Sequence, residues 1–513
     1  MRAAEDASGE SVTVLMDRAG TAIAAAIRRL AGNNEILIIC GPGNNGGDGY
    51  VVARVLAAGG ATVRVAALGE PKTDAAEAAR AGWSGPVEAF AEATPAPVLI
   101  DALFGTGLTR PLDTPNTSPA KAGAQLGNAI DSAHGSPNWA PASAGEGRVA
   151  GERPPLNRSP AEAGAQLESS SASARQPWTP ASVGERPIAE KLHHLSTTAN
   201  LTIAIDLPSG LATDTGAALS KPPVFDVTLA LGAAKPSHLL QPAARYCGDI
   251  RVLDIGIPIA SETHVLSPPL LARPGPDAHK YTRGMVAIIA GAMPGASELA
   301  ALAAMHAGAG YATLLGDTSG PPHALVRAPL SDHALENDRI GALIIGTGLG
   351  RSDYARSLLD SALATNHPLV IDGDALRLLT PDRIATLDAP AILTPHTGEF
   401  DVLFGKSDAD KIIRTRAAAK AANAVIVFKG ADTVIAAPDG RVRIAPAASD
   451  WLSTAGTGDV LAGAIGAMLA AGLDPFEAAA AGVWLHADAA RRLGPAFIAD
   501  DLAVALQKAR ASL

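Results

Sequence analysis

Aromatic residues make up only 4% of the 513-residue chain, against 47% hydrophobic residues overall, so its core has to be built from Ala, Val, Leu and Ile. Cysteine is scarcer still, with Cys40 and Cys247 alone. At most one bridge could form, and neither cysteine has metal-ligand spacing, so both read as free thiols of a reducing cytosol. Positive charge is not concentrated: the formal net charge is -10 and Lys and Arg form no long run. That argues against nucleic acid as the main partner, because phosphate backbones call for clustered cations. No stretch reaches the apolar length of a membrane-spanning helix. The first residues, with Arg2, Glu5, Asp6 and Glu10, lack a signal-peptide apolar region. A cytoplasmic protein of two or three domains is expected.

What the chain does have is glycine in unusual places. Gly41-Pro42-Gly43-Asn44-Asn45-Gly46-Gly47-Asp48-Gly49-Tyr50 follows the apolar run Glu35-Ile36-Leu37-Ile38-Ile39-Cys40. The run reads as a buried parallel strand, and Tyr50-Val51-Val52-Ala53-Arg54-Val55-Leu56-Ala57 reads as a helix stopped by Gly59-Gly60. Glycines let a ligand approach the backbone, and a helix N-terminus at a strand end favours an anion. The run fits G-x-G-x-x-G, but its asparagines and aspartate could equally hold a ribose, a carboxamide or a cation.

Further strands read at Ala61-Thr62-Val63-Arg64-Val65-Ala66, at Pro97-Val98-Leu99-Ile100-Asp101 and at Leu201-Thr202-Ile203-Ala204-Ile205-Asp206, the last two ending in carboxylates. Open α/β sheets place functional groups at such strand ends. Between them, residues 115–186 are rich in Ser, Pro, Ala and Gly. They carry a twofold imperfect repeat, with Ala122-Gly123-Ala124-Gln125-Leu126 recurring as Ala163-Gly164-Ala165-Gln166-Leu167. They read as a disordered insertion. Residues 258–276 read as a Pro- and Ser-rich linker. Beyond it, strand-then-helix units resume, as in Ala342-Leu343-Ile344-Ile345 before Gly346-Thr347-Gly348, which implies a second parallel sheet covered on both faces. In Ser453-Thr454-Ala455-Gly456-Thr457-Gly458-Asp459, a small-residue loop opens a helix from Asp459 to Ala471. Its amides can form an anion hole. Asp459 beside it could take a proton from a hydroxyl that attacks a phosphate, relay one in an elimination, or simply cap the helix.

The loop 41–50 resembles the signature of NAD(P)H-hydrate epimerases, and Leu15-Met16-Asp17-Arg18-Ala19-Gly20, Asp101-Ala102-Leu103-Phe104-Gly105-Thr106-Gly107-Leu108 and Asp206-Leu207-Pro208-Ser209-Gly210-Leu211 agree with it in order. The stretch 453–463 is similar to the anion-hole motif of ribokinase-like kinases. His396-Thr397-Gly398-Glu399 and Lys429-Gly430-Ala431-Asp432-Thr433 narrow that to ADP-dependent NAD(P)H-hydrate dehydratases. The two stand in the order of bifunctional nicotinamide-nucleotide repair enzymes.

This resemblance implies an α/β chain of two three-layer domains, a Rossmann-like sheet in 1–262 and a ribokinase-like sheet in 277–513, with 263–276 between them. It implies a hydrated nicotinamide nucleotide held by Asn44, Asn45, Gly46, Gly47 and Asp48, by Gly105, Thr106, Gly107, Leu108, Thr109, Arg110 and Pro111, and by Asp206. It implies potassium on Asn45, Asp101 and Ser209, with Asp101 or Asp206 as acid/base group. In the second domain it implies substrate at Ala296, Gly348, His396 and Asp459, nucleotide at Lys429, Gly430, Ala431, Asp432, Thr433 and Gly458, and Asp459 as catalytic base. ADP as co-substrate, magnesium with it, NADHX and NADPHX as substrates and a homo-oligomer are expected, with no membrane partner. Two departures stand out. Gly346-Thr347-Gly348 replaces a Gly-Pro-Gly loop, and Ala448-Ser449-Asp450-Trp451-Leu452 replaces the usual approach to the anion hole. The alternatives are a ribokinase-like small-molecule kinase fused to a nucleotide-binding domain, which leaves the first domain unexplained, and a nucleotide-sensing scaffold.

Overall fold

A computed structural model describes residues 2–113 and 187–513. The repetitive stretch 115–186, with its expected disorder, lies outside the described residues.

The first sheet has seven parallel strands: β1 (Ile36–Cys40), β2 (Val63–Ala67), β3 (Val87–Ala89), β4 (Val98–Ala102), β5 (Leu201–Ile205), β6 (Val227–Leu231) and β7 (Asp249–Leu253), in the order β3-β2-β1-β4-β5-β6-β7. β1, β4 and β6 are buried at every position, as strands covered on both faces must be. The chain moves outward from β1 to β3 and returns to β4 on the other side. The direction of winding therefore reverses between β1 and β4, and a crevice opens at their carboxyl ends.

The second sheet has ten strands: β8 (Thr263–Val265), β9 (Met285–Ile289), β10 (Tyr311–Leu315), β11 (Val326–Ala328), β12 (Ile340–Ile345), β13 (Leu369–Ile371), β14 (Ala391–Leu393), β15 (Val425–Phe428), β16 (Thr433–Ala436) and β17 (Val442–Ala445). Their order is β11-β10-β9-β12-β13-β14-β15-β16-β17-β8, which places its switch point between β9 and β12. The scarcity of aromatics shows in how its helices meet. Pro294–Ala307 and Thr457–Ala470 pack so closely that a Cβ on Gly463 would stand 2.8 Å from the Ala303 Cβ. No helix among the described residues is long and apolar enough to cross a membrane.

Three details differ from the sequence reading. The helix expected from Tyr50 begins at Asn44, so most of the glycine motif is the first turns of that helix rather than a loop. Gly46, Gly47 and Gly49 each abut a neighbour too closely for a side chain, which is why a helix here tolerates glycine. Residues 258–276 are not only a connector: Thr263–Val265 pairs in parallel with β17 and closes the edge of the second sheet. That sheet is also mixed, because β16 runs antiparallel to both neighbours.

Candidate active sites

At the first switch point β1 runs into Gly41, whose amide donates to Ala102 O of β4 at 3.0 Å. A Cβ on Gly41 would collide with the Leu103 carbonyl, so only glycine lets the two strand ends close together. Gly43 caps the helix Asn44–Ala58 without a side-chain bond, which leaves the first-turn amides to a ligand anion. A cavity of 510 Å³ opens there. Asn44, Asn45, Asp48, Asp206 and Gly105 through Arg110 line it, while Gly46, Gly47 and Pro111 do not. Asn45 Nδ2 is buried without a hydrogen-bond partner among the described residues. A buried donor left open beside a cavity is the condition a ligand acceptor would relieve.

Asn45, Asp101 and Ser209 converge around the Phe104–Gly105 peptide. Ser209 Oγ donates to Asp101 Oδ1 at 2.7 Å, and Ser209 N donates to Asp101 Oδ2 at 2.9 Å. Phe104 N donates to Ser209 Oγ at 2.9 Å. A Cβ on Gly105 would stand 2.8 Å from Asn45 Oδ1. Asp101 is fully buried, and that burial pushes its carboxyl up to about 6.

The two acid/base candidates occupy different places. Asp101 is enclosed by its three hydrogen bonds, whereas Asp206 lines the cavity. Asp206 sits at φ 62°, a left-handed backbone that a non-glycine residue adopts only where its surroundings hold it. They do so here. Asp206 Oδ1 accepts from Leu231 N at 3.0 Å and from the Lys235 ammonium, and His238 Nε2 lies 2.7 Å from Asp206 O. Lys235 and His238 were not foreseen from the sequence. The available signal was their position just beyond the carboxyl end of β6. Asp48 also faces the cavity. Burial, then the charges of Asp206 and Glu5, push its carboxyl well above the usual range.

At the second switch point β12 runs into Gly346-Thr347-Gly348. Gly348 has φ 64°, and a Cβ on it would meet the Ala296 Cβ at 2.9 Å, so the expected substrate positions Gly348 and Ala296 are adjacent. Gly456, at φ 88°, caps the helix Thr457–Ala470 without a side-chain bond and leaves its first amides open, as at the first site. Asp459 stands in that first turn. Its carboxyl is pushed up to about 7, first by burial and then by the neighbouring charge of Asp372.

Asp372, directly after β13, is a member of this site that no motif marks. It is 3% exposed and accepts from Lys429 Nζ at 2.7 Å and Thr394 Oγ1 at 2.6 Å. A Cβ on Gly458 would lie 3.4 Å from Lys429 Nζ and 3.8 Å from Asp372 Oδ2. Lys429, Gly458, Asp372 and Asp459 thus form one cluster. Of the other expected nucleotide positions, Gly430 and Ala431 are exposed and Thr433 begins β16. The Asp432 carboxylate is engaged by Lys411 Nζ at 2.6 Å and by Gln241 N at 2.8 Å, a contact from the first sheet's side of the chain.

His396 caps the helix Thr397–Phe404, its Nδ1 accepting from Gly398 N at 2.9 Å, and Glu399 answers by accepting from His396 N at 2.9 Å. The replaced approach, residues 448–452, folds into the short 3-10 helix Asp450–Leu452. Thr457 Oγ1 fastens it by donating to Leu452 O at 2.9 Å.

Two doubly wound sheets, each with an open helix N-terminus and a buried carboxyl at its switch point, define a two-site nucleotide-binding α/β protein. Residues 12–132 match the family described as YjeF-related protein N-terminus, and residues 286–510 match NAD(P)H-hydrate dehydratase. The bifunctional NAD(P)H-hydrate repair enzyme Nnr of Thermofilum pendens is 30% identical over 94% of this chain and 88% of its own. The Mycobacterium tuberculosis protein of the same name is 38% identical over 54% of this chain, which spans 60% of that relative's length. Among solved structures, the ADP/ATP-dependent NAD(P)H-hydrate dehydratase of Bacillus subtilis, co-crystallized with ATP/Mg2+, is 29% identical. It covers 47% of this chain and 94% of its own, with a TM-score of 0.43. The chain belongs to the family of bifunctional NAD(P)H-hydrate repair enzymes.

Proposed function

We propose that the chain repairs hydrated nicotinamide nucleotides, interconverting the R and S hydrates of NADH and NADPH at the first site and dehydrating the S form at the second at the expense of ADP. The observation that carries this reading is the pairing, in one chain, of two switch-point sites that each set a carboxyl of raised proton affinity beside an open helix N-terminus. Within it, residues 1–262 are the epimerase domain and 277–513 the dehydratase domain.

Epimerisation needs the ring hydroxyl to leave one face and return to the other. Asp48, whose burial favours the protonated form, donates to the departing hydroxyl. Asp206 takes the proton from the water that adds back, and Lys235 balances its charge. The choice of Asp206 over Asp101 rests on its place in the cavity wall. Asn45, Asp101 and Ser209 would hold potassium. Their donor set, an amide oxygen, a carboxylate and a hydroxyl around one peptide, fits a hard monovalent cation, which would supply positive charge beside the substrate's phosphates.

In dehydration Asp459 accepts the proton of the ring hydroxyl, and its raised affinity suits a base working near pH 7. The hydroxyl oxygen bonds to the β-phosphorus of ADP as the bond to the α-phosphate oxygen breaks, releasing AMP. Phosphate then leaves the ring carbon, and loss of the neighbouring C–H proton restores the double bond of NAD(P)H. The amides of 456–458 and Lys429 stabilise the phosphoryl group in flight. Magnesium would arrive on the nucleotide's phosphates. A cytoplasmic homo-oligomer belongs to the same reading.

The test is recovery of absorbance at the reduced-nicotinamide band from a mixture of both hydrate epimers, with ADP or ATP, magnesium and potassium. Full recovery is expected. Recovery of the S share alone would mean a silent first domain. No recovery, or a phosphorylated product that accumulates, would favour the kinase alternative.

A further inference from the structure

A second cavity, of 880 Å³, lies next to the first and shares Thr106, Gly107 and Thr109 with it as a common wall. The ion pair of the epimerase site straddles the two, because Asp206 lines the first cavity while its partner Lys235 lines the second. Besides the shared wall, four separated parts of the chain build the second cavity: Thr213 and Asp214 beyond β5, the stretch after β6, the segment after β7 with Ile257 and Ile259, and the edge of the second sheet, which contributes His264 and Val265 of β8 and Ile444 of β17. These walls mix aliphatic side chains such as Leu239, Ile257 and Ile444 with the polar Thr213, Asp214 and Lys235. Among them Thr213 Oγ1 is buried with no hydrogen-bond partner among the described residues. A slot with aliphatic and polar walls and one open buried hydroxyl suits a nucleoside, which joins a flat heterocycle to a hydroxylated sugar.

Resting on the repair reading, we infer that this second cavity binds the adenosine half of the dinucleotide, so that the dehydratase sheet completes the epimerase's substrate cleft. The reacting ring must sit in the first cavity, where Asp48 and Asp206 are. A dinucleotide extends well beyond one ring and ribose. From the first cavity the shared wall 106–109 leads into the second, over a loop that follows a strand end as phosphate-holding loops do. The edge strand Thr263–Val265 then does more than close a sheet, since it forms the far wall of a neighbouring site.

The test compares two substrates on the full chain without ADP or ATP, so that dehydration is idle. The purified R hydrates of NADH and of reduced nicotinamide mononucleotide are each followed by chromatography as the S form appears. Two variants narrow the second cavity from opposite walls, Ala234→Trp from the first-sheet side and His264→Trp from the edge strand, an exposed strand position that accepts an aromatic. The expected result is a KM for the NADH hydrate raised about tenfold or more, with kcat held and the mononucleotide reaction unchanged, the signature of lost uniform binding. Unchanged mononucleotide turnover also shows that each variant is folded. Equal effects on both substrates, or none on either, would overturn the inference. A wild-type chain inert toward both hydrates would instead bring down the repair reading beneath it.

Discussion

Lys429 Nζ lies 2.7 Å from Asp372 Oδ1, and the pair faces the turn at Gly458 that carries Asp459, the proposed base. Asp372 raises the proton affinity of Asp459 and Lys429 lowers it, so the pair tunes the base in opposite directions. Asp372→Asn removes the raising charge and frees Lys429 to act on Asp459. Its carboxyl then falls below about 7 and becomes a weaker base. The expected outcome is an acid limb of the dehydration pH–rate profile moved to lower pH, with a plateau lower by about tenfold. Lys429→Met moves the limb the other way. Limbs that stay in place in both variants would show that the pair does not tune the base.

The two sites separate cleanly by substitution. Asp206→Asn leaves the second sheet untouched but removes the carboxylate that faces the first cavity and pairs with Lys235. Epimerisation is expected to fall by about 10²–10⁴-fold, the usual worth of a positioned acid/base group. Dehydration of the S hydrate should keep its wild-type rate. With mixed epimers the absorbance would stop at the S share and then creep at the uncatalysed rate of epimer exchange. A variant that still consumes both epimers at full speed would exclude Asp206 as the acid/base group.

Much of this was legible in the sequence because β/α units announce themselves. Apolar runs such as Ile36–Cys40 and Leu201–Ile205 end in glycine or carboxylate, and the topology of parallel sheets makes those ends the site. What stayed hidden follows from chemistry that composition does not carry. Lys235 and His238 matter only because the left-handed backbone at Asp206 turns toward them. In sequence Asp372 is one acidic residue among several after apolar runs, and only the convergence of Lys429 and Thr394 sets it apart. The helix start at Asn44 was missed because glycine argues against helix unless tight packing excludes side chains. The edge strand Thr263–Val265 was missed because three residues in a Pro-rich stretch carry no periodicity.

His486 should leave a mark on stability. It is buried under the anion-hole helix, its Nε2 lies 2.9 Å from Thr457 O, and burial pushes it down to about 4. An unfolded histidine titrates near 6.5, so between about 6.5 and 4 the unfolded chain binds the extra proton. Stability from this group is therefore complete above pH 6.5 and is lost as pH falls toward 4, by about 3 kcal/mol in all at 1.36 kcal/mol per pH unit. Asp101 and Asp459, with raised carboxyls, act in the opposite sense, so only a difference between variants isolates the histidine. His486→Gln keeps an N–H donor for Thr457 O but does not titrate. Denaturant midpoints of wild type and variant should converge as pH is lowered from 7 to 5. A gap that stays constant would contradict a buried neutral imidazole.

Ser209 offers a way to separate cation binding from proton transfer. Its hydroxyl donates to Asp101 Oδ1 at 2.7 Å and accepts from Phe104 N at 2.9 Å, so it fixes both the carboxylate and the peptide that would surround potassium. Ser209→Ala removes one oxygen ligand and leaves Asp101 held by two backbone amides alone, that of Leu103 and that of the substituted position itself. Asp206 and Asp48, on the cavity side, keep their surroundings. The expected outcome is an epimerase whose half-saturating potassium concentration rises by about tenfold, for the loss of about 1.4 kcal/mol of binding, while its rate at saturating potassium changes little. Dehydration should not respond to the substitution at all. A potassium titration of epimerisation decides it. A half-saturation point that stays where it is would place the cation elsewhere, whereas a rate lost at every potassium concentration would make Ser209 a support of the fold rather than a ligand.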